Sequence, residues 1–98
     1  MIDPAACRTM PEVRAGVDAT DAALIALLAK RFAVMRAAAR IKPGRDEVRD
    51  EARKAAVIAA ARAEAQRLGA PAERIAALWD ALVESSIAYE LEQWDARG

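Results

Sequence analysis

The 98-residue chain has no histidine and a single cysteine, Cys7. The first absence removes imidazole acids and bases, His-based triads and the commonest metal ligand; the second removes any internal disulfide or thiolate cage. Chemistry on this chain has to use Arg, Lys, carboxylates and hydroxyls, and no metal site is expected. Aromatics make up only 4% of the residues, with four Gly and four Pro, too few turn formers for a β-sandwich. Charge of one sign is lacking too. Fifteen Lys+Arg balance fifteen Asp+Glu, so no overall field recruits nucleic acid or an anionic membrane, and neither is expected as a partner. Met1 to Arg8 lack the apolar stretch of a secretory signal, and no apolar run approaches the roughly 20 residues of a membrane span. A cytoplasmic location is the expectation.

What is present is alanine, more than a quarter of the chain, within a hydrophobic share of 55%. That composition favours long helices and an all-α fold in one domain covering residues 1–98. Thr9 followed by Glu12 reads as a capping box, which starts a first helix near Met10 with no stop before Pro43-Gly44. A second helix is expected to start around Asp46 to Val48 and to end at Leu68, where Gly69 can supply a left-handed cap. Pro71 opens a third, running to about Trp94. A first helix of about 32 residues would be about 48 Å long, against about 30 Å for a compact globule of this chain length. Either it bends or a second copy covers it; the second solution, an intertwined twofold homodimer, is the preferred one.

At 100° per residue, Val13, Val17, Leu24, Leu27, Leu28, Val34, Met35 and Ala38 share one face of the first helix, and Arg31 and Lys42 fall near its centre. Arg14 lies about 100° round from Arg31 and about 26 Å down the axis, so one helix cannot aim both at one small ligand, whereas an antiparallel partner could supply the missing arginine. On the third helix Ile75, Leu78, Trp79, Leu82, Val83, Ser86 and Tyr89 mark the buried arc. Glu90 sits inside that arc, one turn after Ser86, while Glu73, Asp80, Glu84, Glu92 and Asp95 project to the opposite side. A carboxyl so placed either pairs with a buried cation or stays protonated and donates a hydrogen bond. The blander reading is a structural salt bridge, with Arg31 and Lys42 snorkelling or pairing. Asp50 and Arg53, three apart, either pair locally or turn Arg53 toward the same cavity. Lys54 lies deep in an apolar arc without an evident reason. Residues 43–49, carrying Arg45 and Arg49, read as a lid or a solvated loop, Trp79 and Trp94 as core and interface packing, and Cys7 as an ordinary residue near the amino terminus.

The segments VRAGVD around Arg14, LLAKRF around Arg31, AARIK ending at Lys42, RDEAR and SSIAYE, in this order and spacing, resemble the all-helical chorismate mutase family. The similarity runs from about Met10 to Trp94, and Cys7 with IAYE looks closest to the branch that also contains isochorismate-pyruvate lyases. The resemblance implies a three-helix chain in an intertwined homodimer, with two sites that each borrow an amino-terminal arginine, here Arg14, from the partner subunit. It further implies that Arg31 binds a carboxylate of a small dicarboxylate substrate, that Lys42 contacts the ether oxygen and a carboxylate, and that Arg53 shapes the anionic pocket. Asp50 matches an acidic position of the family and Ser86 a small hydroxyl.

Two positions depart from the family pattern. Glu90 stands where many bacterial members have a Gln, and can donate only when protonated. Lys54 stands where many have a Glu that receives the ring hydroxyl. The implied reaction, chorismate to prephenate, needs no nucleophile, metal or cofactor. The rival enzyme is an isochorismate-pyruvate lyase giving salicylate and pyruvate, and the rival of another class is a non-catalytic helical dimerisation module.

Overall fold

A computed structural model describes residues 3–97; Met1, Ile2 and Gly98, which the single-domain expectation includes, lie outside them. All regular structure among the described residues is helical, as expected. Helix α1 spans Met10–Ile41, α2 Glu51–Arg67 and α3 Ala72–Asp95, and short 3-10 turns at Pro4–Ala6 and Arg45–Glu47 precede α1 and α2. No helix among the described residues is long and apolar enough to cross a membrane. The chain divides into two compact units, one ending at Ala33 and the other beginning at Val34.

In the first unit Asp3 caps the Pro4–Ala6 turn, its carboxylate accepting from the Ala5 amide at 3.0 Å. The Arg8 guanidinium donates to the carbonyls of Ala5 and Cys7. Helix α1 then starts where the sequence predicts. The Thr9 hydroxyl accepts from the Glu12 amide and donates to the Glu12 carboxylate at 3.0 Å, which satisfies one of the helix's orphan amides. The apolar stripe beyond it is uncovered: Val13, Val17, Leu24 and Leu27 are all exposed, Leu27 to 65%.

In the second unit α2 and α3 form an antiparallel pair. The direction follows from their cross-links, Arg49 to Glu84, Lys54 to Asp80 and Arg62 to Glu73, in which numbers rise along one helix and fall along the other. Gly69, at φ +73, makes the connection by closing α2 in a left-handed cap. The Gly69 and Ala70 amides bond back to the carbonyls of Gln66 and Ala65, and only glycine adopts that φ without a steric cost. Val48, Val83 and Ile87 form the core, with Val57 and Leu91 packed against it.

Helix α2 begins later than its predicted start at Asp46 to Val48. The 3-10 turn takes up Arg45–Glu47, Val48 is sunk into the core at 3% exposure, and the chain runs extended through Asp50 before turning helical. Asp50 is the true cap, its carboxylate accepting from the Arg53 amide at 2.9 Å, a role for which aspartate is among the best residues.

Candidate active site

The deepest polar feature of the second unit is built from two of the charged residues that break the apolar stripes, Lys42 and Glu90. Lys42 follows the last residue of α1, and its amide still bonds back to Ala38 at 2.9 Å, so its side chain leaves in helical register. Its ammonium donates to Glu90 Oε2 at 3.0 Å and more weakly to the Val48 carbonyl at 3.4 Å. Glu90 is 3% exposed. A carboxylate so far from water is tolerated only with a cation or strong donors beside it, and Lys42 is that cation. Of the two expectations for Glu90, pairing is the one observed. Ser86, one turn earlier and equally buried, donates its hydroxyl to the Leu82 carbonyl at 2.7 Å. Among the described residues no buried side-chain nitrogen or oxygen lacks a hydrogen-bond partner.

Asp50 and Arg53 meet through the helix cap: the carboxylate takes the Arg53 amide, not its guanidinium. The Arg53 side chain is exposed and lines an open groove of about 530 Å³ between α2 and α3, with Val57, Ala61, Leu68, Ile75 and Trp79. Lys42 and Glu90 do not line that groove. Arg14 and Arg31 lie on the part of α1 that belongs to the first unit. Arg14 is exposed; Arg31 is half-buried, and burial pushes its guanidinium below the ordinary arginine value. Arginine nevertheless stays cationic at neutral pH.

Lys54, unexplained by the sequence, is a cross-link. Its half-buried ammonium lies 3.0 Å from Asp80 and 3.1 Å from Glu84, and hydrogen bonds to Asp80 and then Glu84 push it above the ordinary lysine value. Glu84 also takes Arg49 at 3.0 Å, and Arg49 reaches Glu51 at 2.8 Å. Hydrogen bonds from Arg49 and then Lys54 hold the Glu84 carboxyl down at about 2. The acidic flank of α3 is therefore the side that receives α2. Residues 43–49 are tied down by the same means, since Arg45 pairs with Asp95 at 2.8 Å, Arg49 with Glu84, and Val48 is buried between them in sequence. The stretch is mostly exposed, as the loop reading expects, but these contacts hold it against α3.

Two contacts had no signal in the sequence. Arg36 donates to the Tyr89 hydroxyl at 3.0 Å. Arg97 donates to the carbonyls of Ala39 and Lys42 and lies over the Trp94 ring, so Trp94 is a platform for a cation as well as a packing residue. No group of three or more His, Cys, Asp or Glu among the described residues could hold a metal ion.

The family profile described as Chorismate mutase type II matches residues 13–91. The chain belongs to that family. The matched stretch contains Arg14, Arg31, Lys42, Asp50, Arg53, Ser86 and Glu90, all seven of the residues singled out from the sequence. Comparison with individual curated proteins gives no match. Membership of a chorismate mutase family indicates isomerase chemistry.

Proposed function

We propose that the protein is a chorismate mutase, converting chorismate to prephenate in a cationic pocket assembled from two copies of the chain. The observation that carries this reading is the buried Lys42–Glu90 pair at 3.0 Å in a chain of this family. The reaction is an intramolecular rearrangement in which a carbon–oxygen bond breaks as a carbon–carbon bond forms. It requires the dianionic substrate to be held folded, and negative charge growing on the ether oxygen to be stabilised. Arginine forks suit the two carboxylates, since each guanidinium can bond both oxygens of a carboxylate. In this reading Arg31 and the partner subunit's Arg14 hold the carboxylates, with Arg53 adding positive charge. Lys42 donates to the ether oxygen and a carboxylate. Glu90, paired with that ammonium at 3.0 Å, is the second group facing the same oxygen. Asp50 holds the start of α2, and Ser86 packs one turn from Glu90. Removing one such charge-stabilising donor typically costs about 10²–10³ in turnover.

The homodimer is part of the proposal. The apolar stripe of Val13, Val17, Leu24 and Leu27 stays exposed in the single chain, and a second copy of α1 is an occupant that would bury it and bring Arg14 across.

One observation favours a second reading. Lys54 is committed to Asp80 and Glu84, so position 54 offers no acceptor for a ring hydroxyl, which raises isochorismate-pyruvate lyase as the alternative. Incubating the purified protein separately with chorismate and isochorismate and identifying the products decides between them. Prephenate from chorismate supports the mutase. Salicylate and pyruvate from isochorismate, with chorismate untouched, support the lyase. Turnover of neither leaves the dimerisation module.

A further inference from the structure

Arg97 lies two residues beyond the end of α3 and holds the end of α1. Its Nη1 donates to the Ala39 carbonyl at 2.8 Å and to the Lys42 carbonyl at 2.9 Å. These carbonyls belong to the last turn of α1 and to the residue that follows it, where a helix leaves its carbonyls without amide partners. The usual remedy is closed off here. Pro43 follows Lys42 and has no N–H to bond back, and the next amide, Gly44, is taken by the Glu47 carboxylate at 3.0 Å. A guanidinium in this place supplies the missing donors and meets the negative end of the helix dipole. The group is itself held flat: its central carbon is 3.4 Å from the centroid of the Trp94 ring, a favourable cation–aromatic stack. Lys42 is thus gripped at both ends, by Arg97 at its backbone carbonyl and by Glu90 and Val48 at its ammonium.

We infer that Arg97 is a positioning residue for Lys42, capping the end of α1 so that the lysine ammonium is delivered to Glu90 and to the substrate. The substrate half of this statement rests on the mutase reading; the hold on Lys42 does not. The chain has three lysines, Lys30, Lys42 and Lys54, so trace acetylation with acetic anhydride followed by mass spectrometry reads Lys42 against two internal controls. In Arg97→Ala the acetylation rate of Lys42 should rise about tenfold through local opening of the helix end, with Lys30 and Lys54 unchanged. Arg97→Lys, which keeps a cationic donor, should recover part of the protection.

On chorismate, Arg97→Ala should lower kcat about ten- to a hundredfold, the scale of a small misplacement of a reacting group, with KM changing less. Unchanged Lys42 reactivity in a variant of native helicity overturns the inference, as does a parallel rise at all three lysines, or a selective rise with kcat intact. A wild-type protein inactive on chorismate removes the mutase reading and leaves the labelling result to decide the rest. If Arg97→Ala does not fold, Trp94→Leu, which removes only the platform, must still raise Lys42 reactivity selectively.

Discussion

Replacing Lys42 with Met strips the cation from a carboxylate that has almost no access to water. Glu90 is 4% exposed at its side chain, Lys42 31%, and the two meet at 3.0 Å. The burial is lopsided, so the cost of breaking the pair should be lopsided too. Without Lys42 the buried carboxyl keeps its desolvation penalty and loses its partner, a loss of about 3 kcal/mol, the lower end of the range for broken buried pairs because Lys42 is partly solvated. Glu90→Gln leaves an ammonium that water can reach and an amide oxygen that can still accept from it, a loss of about 1 kcal/mol. The double variant Lys42→Met/Glu90→Leu removes both charges and should lie within about 1 kcal/mol of wild type. Urea unfolding at one fixed protein concentration measures all three, so that the proposed subunit association contributes equally to each. Equal losses for the two single variants, or a double variant worse than Lys42→Met, would refute the reasoning.

The remaining predictions concern the α2–α3 cross-link, the turn between these helices and Glu90. Glu84, held at about 2 against an ordinary value of 4.5, stabilises the fold above its ordinary value and loses that contribution as pH falls through about 2. Glu84→Gln should therefore lower Tm at pH 7, with a gap to wild type that closes between about pH 4.5 and 2; a gap independent of pH contradicts the linkage. Gly69 has φ +73 and open space around a notional side chain, so Gly69→Ala should cost about 1 kcal/mol from the backbone alone, and a gain in the urea midpoint would contradict this. Glu90→Leu, which removes the proposed second contact to the ether oxygen, should lower kcat on chorismate by about 10²–10³, read from initial rates. Turnover near the wild-type rate removes Glu90 from the site.

Much of this was legible in the residues. Thr9 and Glu12, Pro43, Gly69 and Pro71 each act through local backbone chemistry, and each marks a helix boundary where it was expected. Lys42 and Glu90 were visible for a different reason: a charge in an apolar stripe has to be matched by another, and the two found each other. Helix α2 starts later than expected because Val48 is drawn into the core behind the Arg45–Glu47 turn, which leaves Asp50 to cap the helix. Lys54 could not be understood from its own helix, since its partners Asp80 and Glu84 come from α3. Arg97 gave no signal at all, because its role depends on a helix end more than fifty residues away in the chain.

The central claim is that chorismate is rearranged in a pocket to which one subunit gives Arg31 and its partner gives Arg14. Mixing Arg14→Ala subunits with Arg31→Ala subunits, each inactive alone, tests it most directly. Each heterodimer then holds one intact and one doubly damaged site, so an equal, fully exchanged mixture should recover about a quarter of the wild-type prephenate-forming activity. No recovery, with heterodimers confirmed by native mass spectrometry, would contradict the account.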